Sequence, residues 1–294
     1  MIFIKLFDFH CDTLSKFSNY ESDTNQYEFA DSSCFDEYTQ VFAVYVSSND
    51  KTPEISAEKQ LNAFDKLKSQ FEDASGRRAV LSVENASAFG EGYRNIDAFI
   101  SKGLRILSLT HNRDNEYACG SSSKIDTGLT EKGKEIIAYA EKCNVAIDIS
   151  HLSFNSIYDV FKIAKNPVCA THSNSYSICS NRRNITDDMF NEIVNMGGIV
   201  GINMYPHFLG KCADSNDVIR HIMHFLELGG EKNVAFGCDF DGINETPFDI
   251  KNVSDLQIIY KKLENLKIHL KTIDDIYYNN AINYVNEFLY GRNR

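Results

Sequence analysis

Eight short apolar runs rich in β-branched residues, each followed by a segment of helical spacing, limit the fold of this chain more than any other feature. They fall at 2–9, 41–46, 79–83, 104–109, 145–149, 167–170, 198–202 and 234–237. Between them, Leu61, Phe64, Leu67 and Phe71 form one helical stripe, and Ile157, Val160, Phe161 and Ala164 another, with Ser153 as its N-cap. Thr186-Asp187-Asp188 starts a helix that Gly197 stops, Asn216 opens one that runs to Gly229-Gly230, and two more begin at Ser254 and Thr272. Parallel strands need helical crossovers and burial on both faces, so strands that alternate with helices in this way predict an α/β fold, a (β/α)8 TIM barrel. The rival, a doubly wound open sheet, lacks a glycine-rich phosphate fingerprint after any strand. Nothing divides the chain, so residues 1–294 are expected to form one barrel domain. The polar stretches 15–38 and 112–128 are expected to be loops over the active face.

Charge and composition exclude several classes of function. A net charge of −11 and a pI near 5.2 leave no basic footprint for a nucleic acid. No stretch approaches the ~18 apolar residues of a membrane span. The opening apolar segment is short for a signal peptide, and the closing segment has no hydrophobic tail of the kind a lipid anchor needs. The eight cysteines show no Cys-x-x-Cys pair, which favours reduced thiols over disulfides or a thiolate metal site. A cytoplasmic location is therefore expected, and a homodimer stays open.

Barrel enzymes place their chemistry where the strands finish. His10 and Asp12 end the first run, Glu84 the third, His111 the fourth, His151 the fifth, His172 the sixth and Asp239 the eighth. A single histidine at a strand end is more often a hydrogen-bonded structural residue, but so many ionisable groups at one rim read as a site. In His10-x-Asp12 both side chains point to one face, into the barrel mouth, while Cys11 faces the helices. Imidazole and carboxylate suit a zinc-like ion, and His151 and His172 add two imidazoles from adjacent strands. Glu84 has two oxygens and lies between the two groups. Five ligands are too many for one catalytic ion that keeps an open position, and suit two ions sharing a carboxylate.

Those residues sit in familiar surroundings. Asp8-Phe9-His10-Cys11-Asp12-Thr13-Leu14, Ser82-Val83-Glu84, Leu107-Ser108-Leu109-Thr110-His111-Asn112, Gly128-Leu129-Thr130, Ile147-Asp148-Ile149-Ser150-His151-Leu152-Ser153, Thr171-His172-Ser173-Asn174-Ser175, Asn181-Arg182-Arg183-Asn184 and Gly237-Cys238-Asp239-Phe240-Asp241-Gly242 occur in this order along nearly the whole chain. Together they resemble the renal (membrane) dipeptidase family of zinc metallopeptidases. The resemblance implies two zinc ions per chain, one on His10 and Asp12, the other on His151 and His172, bridged by Glu84. It further implies that His111 contacts the scissile carbonyl, that Arg183 takes the substrate's C-terminal carboxylate, and that Asp239 serves as acid–base beside a hydroxide shared by the zinc ions. The implied substrates are dipeptides, including those with a C-terminal D-residue.

Other assignments are weighed beside these. Of the adjacent arginines, Arg183 is taken from family register, and Asp239 is preferred to Asp241 because Asp241-Gly242 reads as a turn. Tyr205 is counted as a substrate-side candidate; for it and for His207, just past the seventh run, lining the pocket and a plain loop role are equal alternatives. His221-x-x-His224-x-x-Glu227 could align ligands on a helix but belongs to an outer helix, where packing is the expected role. Two rival functions remain: a barrel amidohydrolase acting on a non-peptide amide, and a non-catalytic binding protein. His10-x-Asp12 in place of His-x-His speaks against the first, and the complete ligand set against the second.

Overall fold

The strands close into a ring in which each hydrogen-bonds in parallel to the next and the last returns to the first. They are β1 (Lys5–Cys11), β2 (Glu37–Tyr45), β3 (Arg77–Glu84), β4 (Leu104–Ser108), β5 (Ala146–Asp148), β6 (Cys169–Ala170), β7 (Ile199–Ile202) and β8 (Val234–Phe236). The computed structural model describes residues 4–19, 31–211 and 213–289. All eight apolar runs became strands, and the fold is a (β/α)8 barrel. Among the described residues no helix is long and apolar enough to cross a membrane.

Two separate packings hold the barrel together. Outward residues such as Phe42, Val44, Leu81, Val83, Leu107 and Ile147 pack beneath the helices. Leu61, Phe64, Leu67 and Phe71 of helix Pro53–Glu72 are buried there, as the stripe predicts. Inward residues (Phe7, Phe9, Val41, Val80, Ile106, Ala146, Cys169, Ile199 and Ala235) fill the barrel's lower half. Helix Asn280–Leu289 joins that second packing through Ala281, Tyr284 and Val285, and the Tyr284 hydroxyl donates to the Pro167 carbonyl at 3.0 Å. The barrel is therefore a filled core with one open end, and polar chemistry is confined to that end.

Alternation along the strands brings the inner face from apolar to polar. On β3 the inward series is Val80, Ser82, Glu84; on β5 it is Ala146, Asp148. On β1 the alternation is broken. Asp8 lies opposite Gln40, but Cys11 lies opposite Phe42, so β1 spends three steps where β2 spends two. That bulge lets Phe7 and Phe9 face the barrel core and still delivers His10 inward, with Cys11 against the helices. Without the extra residue, His10 would share the outward side of Leu6.

Two of the helix-start signals hold, whereas Asn216 lies inside helix Ser215–Glu227, which Asp214 caps. Thr186 accepts from the Met189 backbone N–H at the start of helix Asp187–Asn195, and Ser153 accepts from the Ser156 N–H at the start of helix Phe154–Ile163. The stretch 15–38 needs correction, because its first residues belong to helix Thr13–Asn19 and its last to β2, while 20–30 lie outside the described residues. Strand β2 starts early because its polar opening, Glu37 to Gln40, still pairs in register with β1 and β3. The stretch 112–128 is an irregular loop tied to the rim, where the Ser121 N–H donates to the His151 carbonyl at 2.7 Å. The seven described cysteines are free, and four of them are buried; Cys212 lies outside the described residues.

Candidate metal centre

Glu84 stands at the centre of the open end, 3% exposed, with its two oxygens facing two different groups. Oε1 lies 2.7 Å from His151 Nε2 and 3.8 Å from His172 Nε2. Oε2 lies 3.5 Å from His10 Nε2, which is in turn 3.7 Å from Asp12 Oδ2 and 3.8 Å from Asp239 Oδ1. Ligand atoms of His10, Asp12 and Asp239 come within 4.8 Å of one another, as do those of Glu84, His111 and His151. The ends of six strands, β1, β3, β4, β5, β6 and β8, supply these side chains.

Hydrogen bonds settle which imidazole nitrogens are bare. His151 Nδ1 lies 2.8 Å from Asn112 Oδ1, an amide oxygen that also accepts from the Ser121 hydroxyl, so Nδ1 carries the proton. His172 Nδ1 lies 2.7 Å from Thr171 Oγ1, whose own proton goes to Asp148 Oδ2 at 2.6 Å, so here too Nδ1 is the donor. Both Nε2 atoms then present lone pairs, yet they are 2.7 Å apart. Two bare lone pairs at that distance repel unless a cation lies between or beside them.

Two further observations agree. His10 Nε2 and Asp12 Oδ1 are buried without a hydrogen-bond partner, an arrangement that is costly without a ligand. Burial pushes Asp12 up to about 6, with the charge of Glu84 adding to it, and Asp239 up to about 7, where Asp12 and Glu84 both add. Burial also drives His151 and His172 below the ordinary imidazole range. Crowded carboxylates beside imidazoles are the donor set of divalent cations, and the residues fit such ions.

The surrounding backbone is strained to hold this shape. His151 and Asp239 have φ of 69° and 65°, the left-handed region that β-strand ends rarely enter. Gly242 follows, and a Cβ there would fall 2.1 Å from Asp12 Oδ2, so only glycine lets the loop approach the cluster. Asp241, the alternative to Asp239, is held aside by Thr13, whose hydroxyl donates to its Oδ2 at 2.7 Å, and by Lys16 at 3.2 Å.

A cavity of about 360 Å³ opens above the cluster, lined by Asp12, Tyr45, Glu84, His111, His151, Tyr205, Phe208 and Asp239 among others. His10 and His172 lie behind its wall. Of the arginine pair, Arg182 is exposed and donates to the Ser123 carbonyl, whereas Arg183 is buried, with its guanidinium 5.4 Å from the Phe208 ring and donating to the His172 carbonyl at 3.2 Å. Arg183 Nε is buried without a partner. His221 is fully buried and satisfied by the Ser175 N–H and the Leu209 carbonyl, His224 pairs with Asp187, and Glu227 is exposed, so that helix motif gathers no site. His207 is exposed and 3.8 Å from Glu245.

Several residues here carried no role in the sequence analysis. Tyr45 ends β2 and packs edge-on against His111, and Asn203, just past β7, donates from Nδ2 to Asp239 Oδ2 at 2.9 Å. Strand-end position, the signal that marked the histidines, also marks both of these. Asn112 holds His151 and also faces His111 Nε2 at 3.3 Å.

The model of the membrane dipeptidase family (peptidase family M19) matches residues 17–288, and the chain belongs to that family. An uncharacterized dipeptidase of Schizosaccharomyces pombe is 32% identical over 189 residues, 61% of this chain and 45% of that protein. A dipeptidase of Aspergillus oryzae is 29% identical over 205 residues, 67% of this chain and 48% of that one. The matched region thus spans about half the length of these curated relatives. A Rhodobacter sphaeroides metallopeptidase solved with a phosphinate mimic of L-Ala-D-Ala superposes with a TM-score of 0.85 at 21% identity, covering 97% of this chain and 99% of that one; it shares the fold.

Proposed function

We propose that this barrel is a single catalytic domain that hydrolyses dipeptides with two zinc ions, one on His10 and Asp12, the other on His151 and His172, and Glu84 shared between them. The observation that carries the reading is the split of the Glu84 carboxylate, one oxygen toward each histidine group, in a chain of the membrane dipeptidase family. When bound, such a metal pair lowers the pKa of water to near ~7 and polarises a carbonyl oxygen.

The chain's own side chains supply the rest. Asp239, at the cavity floor and oriented by Asn203, takes a proton from the attacking water and returns it to the departing amine as the C–N bond breaks. His111, on the cavity wall against Tyr45, donates to the carbonyl oxygen as charge develops there. Arg183, buried behind the cavity lining against Phe208, would take the substrate's C-terminal carboxylate with its planar guanidinium. Tyr205 and Phe208 wall the space for side chains. The L-Ala-D-Ala mimic bound by the Rhodobacter relative supports extending the substrates to C-terminal D-residues. A cytoplasmic location belongs to the same proposal and is supported by the free, mostly buried cysteines.

A hydrolysis screen over L,L- and L,D-dipeptides and their C-terminal amides, with and without chelator, tests this. Turnover is expected on free dipeptides and is expected to stop with chelator. Arg183→Ala should lower kcat/KM on free dipeptides by ~10–100-fold, in line with a charge-assisted hydrogen bond, and leave the amides little changed. Equal loss on both would remove carboxylate recognition from the reading.

A further inference from the structure

We propose that Asp148 is a positioning residue that acts through the Thr171 hydroxyl to fix which ring nitrogen of His172 carries the proton. The inference rests on the reading of His172 as a metal ligand. Asp148 ends β5 on the inward face, 3% exposed, directly beneath the cluster. Its Oδ1 accepts from the backbone N–H groups of Ser150 and Thr171, each at 2.9 Å. Its Oδ2 accepts from the hydroxyls of Thr171 at 2.6 Å and Ser108 at 3.0 Å. Four donors converge on this carboxylate, so it is held as an acceptor with no proton of its own.

The consequence travels outward by elimination. Thr171 has one hydroxyl proton and gives it to Asp148, so toward His172 it has only lone pairs to offer. His172 Nδ1, 2.7 Å away, must therefore be the protonated nitrogen, and Nε2 faces Glu84 and His151 bare. Carboxylates commonly orient metal-binding imidazoles directly; here a buried hydroxyl stands between the two.

Asp148→Asn separates this role from a merely structural strap. The two backbone N–H groups demand an oxygen at the Oδ1 position, which turns the amide NH2 toward Thr171. Thr171 then accepts that proton and directs its own hydroxyl at His172 Nδ1, which moves the ring proton to Nε2 and blocks the coordinating lone pair.

The experiment uses the full chain freed of metal by chelator. Nitrogen NMR on histidine-labelled protein is expected to show His172 protonated at Nδ1 in the wild type and at Nε2 in Asp148→Asn. Titration with Zn2+ against a chromophoric chelator should show one of the two zinc positions weakened by roughly 10–100-fold in Asp148→Asn and in Thr171→Val, with Thr171→Ser close to wild type. A folded Asp148→Asn protein with an unchanged His172 tautomer would overturn the proposal. So would equal Zn2+ affinity of Thr171→Val and Thr171→Ser, the pair that decides if Asp148→Asn fails to fold. If the tautomer switches but the wild type takes up no zinc, the dipeptidase reading fails and the role of Asp148 stands.

Discussion

Glu84→Gln is expected to abolish dipeptide hydrolysis, a loss larger than the roughly 10²–10⁴-fold that removal of one acid–base group costs. The carboxamide has almost the same shape, so the inward series of β3 and the packing around it are expected to survive. What changes is the donor set. Whichever way the amide turns, an NH2 replaces an acceptor, either at Oε1, 2.7 Å from His151 Nε2, or at Oε2, 3.5 Å from His10 Nε2. One of the two groups then faces a hydrogen-bond donor where a cation needs a lone pair, and the negative charge that both groups share is gone. The checks are turnover on a dipeptide, bound metal and the thermal midpoint. Near-normal turnover in a folded variant would remove Glu84 from the centre of the mechanism.

Asp239→Asn is expected to behave differently, with turnover lowered by roughly 10²–10⁴-fold while the metal remains bound. Asp239 sits on the cavity lining, 3.8 Å from His10 Nε2, and its other oxygen accepts from Asn203. An asparagine can keep that hydrogen bond by presenting its oxygen to Asn203, which leaves the NH2 toward the cavity. Such a side chain holds its place but cannot take up and release a proton at neutral pH. Parallel loss of turnover and of metal would recast Asp239 as a ligand; unchanged turnover would refute the acid–base role.

How much of this was legible in the chain depends on which rule governs each part. The barrel was readable because strands buried on both faces must be apolar throughout, and the runs at 79–83 and 198–202 differ from the strands they predict by two residues or fewer at either end. Strand β2 shows the limit, since Glu37 to Gln40 pair in register although no apolar pattern announces them. The strand-end rule found the histidines and Glu84, yet the same rule points at Tyr45 and Asn203, whose neutral side chains carried no chemical alarm.

Other features were out of reach for a local reading. The bulge in β1 places Phe9 and His10 both inward, which strict alternation forbids; only pairing with β2 exposes the extra residue. The tautomer lock on His172 needs Asp148 from one strand and Thr171 after the next, close in space and 23 positions apart in sequence. The plug formed by Tyr284 and Val285 depends on where the last helix docks, which amphipathic spacing alone does not state.

The most direct measurement is the metal content of the purified chain, stripped with chelator, reloaded with Zn2+ and freed of excess ion, determined by mass spectrometry of the elements. About two ions per chain are expected, because five ligands and a divided carboxylate exceed what one open catalytic ion uses. A single tightly held ion, with His10 and Asp12 leaving no trace on its binding when replaced, would contradict the two-metal reading.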